Sequence, residues 1–122
     1  MANEKSSFEV KEGVFISADV VAVIAGLSAT EVEGVSCLAG GIVNGDIEKL
    51  SAARLSRAIK IISHPDDSIT IRLALEIAYG YGIPEVTANV QTKVGSSIEN
   101  MTGIKVSHVD IKIASVAVPG NH

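Results

Sequence analysis

The stretch Ile69-Thr-Ile-Arg-Leu-Ala-Leu-Glu-Ile77 decides the fold. Ile69, Ile71, Leu73, Leu75 and Ile77 recur at every second position, while Thr70, Arg72 and Glu76 stand between them. Strand side chains alternate between two faces, so this is a strand with one face to be covered and one left to solvent. A sheet of that kind is mostly antiparallel, and helices supply its cover.

Reading towards the C-terminus, Tyr79-Gly-Tyr-Gly82 breaks the strand, and Ile83 is pushed to an extended conformation by Pro84, which takes the first helical position. From there Val86, Val90, Val94, Ile98 and Met101 form a narrow apolar stripe, and Gly103 ends the helix. Glu85, Asn89, Lys93, Ser96 and Asn100 lie on its opposite face. A last strand runs from Ile104 to Val118. Its apolar positions change parity between Val106 and Val109, which predicts a bulge near Ser107.

Reading towards the N-terminus, His64-Pro-Asp-Asp67 has turn chemistry and Ala58 to Ile62 is a short strand-like run. Residues 40–56 contain Gly40, Gly41 and Gly45 and no clear period, so they are expected to be flexible, with at most a short helix from Ile47 to Leu55. Upstream, Val20, Val21, Val23, Ile24, Leu27 and Val32 keep helical spacing. Ser17 is placed as N-cap, Asp19 in the first turn, and Gly34 at the left-handed end, so the helix is expected over 18–33. Gly26 inside it costs about 1 kcal/mol relative to alanine, which implies close approach of another element. Phe8, Val10, Val14 and Ile16 alternate around Glu12-Gly13 as a strand or hairpin.

The element order is therefore β-α-β-β-α-β, an α+β domain over 8–116 with two main helices on one face of a small, mostly antiparallel sheet. Residues 1–7 and 117–122 read as flexible tails. The 122 residues fit a single core. That core must be aliphatic, because aromatics make up 3% of the chain.

Composition also narrows function. A net charge of -4, scattered basic residues and the lack of tryptophan oppose a nucleic-acid platform. Arg54, Arg57 and Lys60 are the one close basic group and read as a solvated face. Cys37 is the single cysteine, which excludes an internal disulfide and suits a reducing, cytoplasmic setting. The polar N-terminus and the short apolar run Val20 to Leu27 oppose a signal peptide or direct membrane insertion.

A reactive centre is equally hard to assemble. Cys37 lies in no nucleophile motif with His64 or His108. His64, Asp66 and Asp67 are the one tight group of metal-ligand types, and a Pro-Asp turn accounts for them. The loop from Gly40 to Asp46 lacks the Lys-Ser/Thr of a phosphate loop. No catalytic residue, metal site or cofactor is assigned.

Two segments carry a family resemblance: Val14-Phe-Ile-Ser-Ala-Asp-Val-Val-Ala-Val-Ile-Ala-Gly-Leu-Ser-Ala-Thr-Glu-Val-Glu-Gly-Val35, and Tyr79-Gly-Tyr-Gly-Ile-Pro-Glu-Val-Thr-Ala-Asn-Val-Gln91 followed by Ile98-Glu-Asn-Met-Thr-Gly103. In order and spacing they resemble the alkaline shock protein family, also called the Gls-type general stress family. The resemblance covers about residues 8–114 and departs in the region Gly40 to Arg57. It implies a cytoplasmic, non-enzymatic protein of Gram-positive bacteria tied to cell-envelope homeostasis or alkaline stress, held near the membrane by a membrane-anchored partner or self-associating. The expected contact residues are Tyr79, Tyr81, Glu85, Asn89 and Lys93, an aromatic-bearing turn beside a helix start. The alternatives are an acyl-ligand regulator of lipid metabolism and an RNA-binding domain, the latter opposed by the charge.

Overall fold

A computed structural model describes residues 6–118, so most of the two segments read as tails lies outside it. Ser7–Lys11 (β1) and Val14–Ser17 (β2) form an antiparallel hairpin, followed by helix α1 (Ala18–Thr30) and strand β3 (Val35–Leu38). A 3-10 turn over Asn44–Lys49 and the single-turn helix α2 (Ala52–Leu55) lead to β4 (Ile59–Ser63) and β5 (Ile69–Ala78). Helix α3 (Ile83–Thr102) and β6 (Val106–Ala117) complete the described chain.

β5 organises the molecule. Ile69, Ile71, Leu73, Leu75 and Ile77 are all buried, and on the alternate parity Arg72 is exposed and Glu76 half-buried, but Thr70, expected on the solvent face, is buried beside His64 and Ser107. One edge of β5 is shared by two antiparallel neighbours: β4 pairs with Ile69 to Leu73, and β3 with Leu75 to Ile77. The other edge pairs in parallel with β6, which α3 makes possible as a crossover. The sheet is mostly antiparallel but not wholly so, and the β1–β2 hairpin is a separate two-stranded sheet.

The helix signals act largely as expected. The Ser17 hydroxyl accepts the Val20 N–H at 3.2 Å, and Gly103 takes φ 79 at the end of α3. A Cβ on Gly26 would lie 3.0 Å from Ile59 Cδ1 and 3.2 Å from Ile47 Cδ1, so α1 does approach its neighbours there. The bulge near Ser107 is present: Ile69 pairs with Val106 and Thr70 with His108.

Strand β3 is an addition to the element order expected from the sequence, and other details differ as well. α1 stops at Thr30 rather than 33, where the Asn44 amide donates to the Leu27 carbonyl and the Thr30 hydroxyl and so closes the helix end. Val20, expected on the apolar face, is exposed. The region 40–56 is not a bare loop, because Ile42, Ile47 and Leu55 reach into the core. Helix α3 begins at Ile83 behind the N-cap Gly82, since a first-turn proline forfeits no intrahelical bond at either of the first two positions. Its buried stripe is Val86, Val90, Val94, Ile98 and Thr102; Met101 is 69% exposed.

Candidate interaction surface

At one end of the molecule, β5 runs into the Tyr79–Gly82 turn and α3 starts beside the close of β6. The Tyr79 N–H donates to the Ala117 carbonyl at 2.9 Å, which joins the turn to β6. Tyr79 is 65% exposed and Tyr81 44%, and Ile83, Val116 and Val118 are also exposed large apolar residues at this end.

Tyr81 is held rather than loose. Its hydroxyl donates to Glu33 Oε2 at 3.3 Å, and its ring lies over Gly34, where a Cβ would come within 3.0 Å of Cδ1 and 2.7 Å of Val86 Cγ2. Gly34 takes φ 99, a conformation that disfavours any side chain. The sequence offered Gly34 as a helix end; the structure uses it to seat an aromatic ring.

The remaining expected contact residues continue along α3. Glu85, Asn89 and Lys93 are exposed at successive intervals of four, about 6 Å apart along the axis. Lys93 Nζ lies 3.4 Å from Glu31 Oε1 beyond the end of α1, so this cation is shared with the neighbouring element. With Glu33 and Glu85 nearby, the end carries apolar rings bordered by carboxylates. Sequence spacing alone could not reveal the Tyr81–Glu33 and Lys93–Glu31 contacts, which cross 48 and 62 residues of chain.

The groups considered for chemistry lie apart. Cys37 is buried and pairs across the sheet with Glu76; burial pushes its thiol up from the ordinary value, and the Glu76 carboxylate adds to the rise. His64 Nε2 is 2.7 Å from Thr70 Oγ1, and His108 is the register partner of Thr70. Glu76 lies six positions beyond Thr70 on β5, roughly 20 Å of strand, so cysteine and histidines occupy different ends of the sheet. Asp66 accepts from the Ser68 N–H and hydroxyl, which hold its carboxyl below its ordinary value and engage it within the turn.

A groove of about 460 Å³ between α1, α2 and β4 is bordered by Ala22, Val23, Leu55 and Ile59 but also by Asp19 and Lys60, so it is not a continuous aliphatic channel. No helix among the described residues is long and apolar enough to cross a membrane.

The profile of the alkaline shock protein 23 family, described by a cell envelope-related function, matches residues 7–118. The uncharacterized protein YqhY of Bacillus subtilis is 32% identical over 103 residues, covering 84% of this chain and 76% of its own. The uncharacterized protein YloU of the same organism is 32% identical over 105 residues, covering 84% of this chain and 87% of its own. The uncharacterized protein Spy1535 of Streptococcus pyogenes is 29% identical over 103 residues, covering 84% and 78%. No solved structure matches.

Proposed function

Since the chain belongs to the alkaline shock protein 23 family, whose description is a cell envelope-related function, we propose that it is a non-enzymatic interaction module held near the membrane by a membrane-anchored protein. The observation that carries this reading is the cluster of exposed Tyr79, Tyr81, Ile83, Val116 and Val118 at one end of the sheet. Exposed apolar groups gathered in one place mark contact surfaces more often than chance placement, and tyrosines are favoured anchors within them. Tyr81 is already fixed by Glu33 and Gly34, so little side-chain entropy remains to be lost on contact.

Charge narrows the partner. Glu33 and Glu85 border the cluster, and the chain as a whole is acidic. Cytoplasmic segments next to membrane spans are enriched in lysine and arginine, so a basic juxtamembrane segment with an apolar anchor is the complementary shape and charge.

Capture from membrane extracts of the source organism tests the reading. Wild-type protein is expected to retain one membrane protein, and the folded double variant Tyr81→Ala with Glu85→Lys to lose it, while Met101→Ala keeps it. Retention by the double variant, or no recovery by the wild type, overturns the assignment.

A further inference from the structure

β6 has a free edge. It pairs with β5 alone among the described residues, yet runs for 12 residues, longer than any other strand. Ile69 and Tyr79 donate their N–H groups towards β6, whereas Ala74 and Ala78 donate away from it, towards Ala58 and Gly34. Odd-numbered residues of β5 therefore serve the β6 edge. Through the register Ile71↔Val109, Leu73↔Ile111 and Leu75↔Ile113, the backbone groups of His108, Asp110 and Lys112 turn inwards, and those of Val109, Ile111 and Ile113 turn outwards. The Gln91 side chain confirms the direction by donating to the Val109 carbonyl at 2.9 Å.

Bulges at Ser107 and Ala114 bound this regular stretch, because the register skips each of them. Between the bulges, Asp110 and Lys112 share the open face of the sheet and flank Ile111. We propose that this edge pairs with the same edge of a second copy, antiparallel about a twofold axis through Ile111, to join two sheets into one.

The charges select that register. With Ile111 opposite its own copy, each Asp110 faces a Lys112 and each Val109 faces an Ile113. The outward backbone groups of 109, 111 and 113 then meet as hydrogen-bonded pairs. Centring the axis on Asp110 would set aspartate against aspartate, and centring it on Lys112 would set lysine against lysine, both unfavourable directly opposite. A shift further in either direction runs into a bulge. Ile111 and Ile113 are half-buried and gain cover from the partner strand. The Gln91 bond can persist, because a carbonyl oxygen has two lone pairs. Edge strands are commonly guarded by charged side chains, proline or bulges; here both bulges lie outside 108–113, and the two charges within that stretch are of opposite sign, so they oppose a shifted register and favour the centred one.

The paired stretch 109–113 stops short of Val116 and Val118 at the Tyr79 end, and the substitutions at 110 and 112 leave that end untouched, so the inference is tested apart from the docking reading. Sedimentation velocity of the full chain across a concentration series is expected to show a reversible dimer. Asp110→Lys and Lys112→Glu should each weaken it at least about tenfold, because each places like charges opposite on both sides of the axis. Mixing these two variants should restore dimers, since every facing pair is then of opposite sign. Circular dichroism checks that each variant is folded. A wild-type chain that remains monomeric at all concentrations, a dimer indifferent to both substitutions, or a mixture that stays monomeric overturns the proposal.

Discussion

Gly34→Ala probes how firmly the contact end is built. The substitution has two separable costs. An alanine at φ 99 carries backbone strain of about 1–2 kcal/mol, and its Cβ meets Val86 Cγ2 at 2.7 Å and the Tyr81 ring at 3.0 Å, an overpacking worth about 1–3 kcal/mol. Gly40 supplies the control: it takes φ 88 with nothing within 4 Å of a new Cβ, so Gly40→Ala reports the backbone cost alone. Urea unfolding followed by circular dichroism at 222 nm suits a chain with no tryptophan. The expected losses are about 1–2 kcal/mol for Gly40→Ala and about 3 kcal/mol for Gly34→Ala, the latter lowering Tm by roughly 12 °C for a domain of this size. Adding Tyr81→Ala to Gly34→Ala should cost less than the sum of the two single changes, because the ring no longer resists the methyl group. Equal losses at Gly34 and Gly40 would refute the reasoning, since Tyr81 and Val86 would then be free to move aside and the contact end would not be preformed.

Two further outcomes follow from the same structure. The Cys37 thiol is raised by burial, so its contribution to stability is intact below the unfolded thiol value and is lost as pH rises through the folded one; alkaline unfolding should steepen above about pH 8.5, and Cys37→Ala should flatten that slope in pH-dependent urea melts. Asn44→Ala removes the donor that closes α1, and should cost about 1 kcal/mol by thermal melting, with faster amide exchange in the last turn of α1.

Much of the fold was legible because its signals are local. The parity of Ile69 to Ile77, the cap at Ser17, the stop at Gly103 and the bulge near Ser107 each depend on a few neighbouring residues. β3 was missed for the opposite reason: Val35-Ser-Cys-Leu38 has no alternation, and becomes a strand only because the far half of β5 offers it an unpaired edge. The second bulge, at Ala114, leaves the same mark as the first, since the apolar positions pass from odd Ile111 and Ile113 to even Val116 and Val118, and that switch went unread; the parallel sense of β6 appears only once α3 is seen to cross over. Met101 was misplaced because spacing of three and spacing of four fit an apolar stripe equally well; the buried position went to Thr102, whose hydroxyl is satisfied by the Ile98 carbonyl at 2.6 Å. At the candidate surface, exposure of Glu85, Asn89 and Lys93 was readable from helical phase. The contacts that hold Tyr81 and Lys93 depend on α1 and α3 lying side by side.

The two surfaces are also far enough apart to act together. Ile111 pairs with Leu73, and Tyr79 lies six residues further along β5, roughly 20 Å away at strand rise. A twofold axis at Ile111 therefore leaves both Tyr79–Gly82 turns outside the paired stretch 109–113 and directs them away from each other, roughly 40 Å apart. A dimer of this geometry would bridge two membrane-anchored partners rather than bind one more tightly. Its gain is avidity on a surface, where a second contact forms at high effective concentration, and not in dilute solution. On the docking reading proposed above, recruitment to a membrane would raise the local concentration and add to the pairing along β6 that is expected in solution.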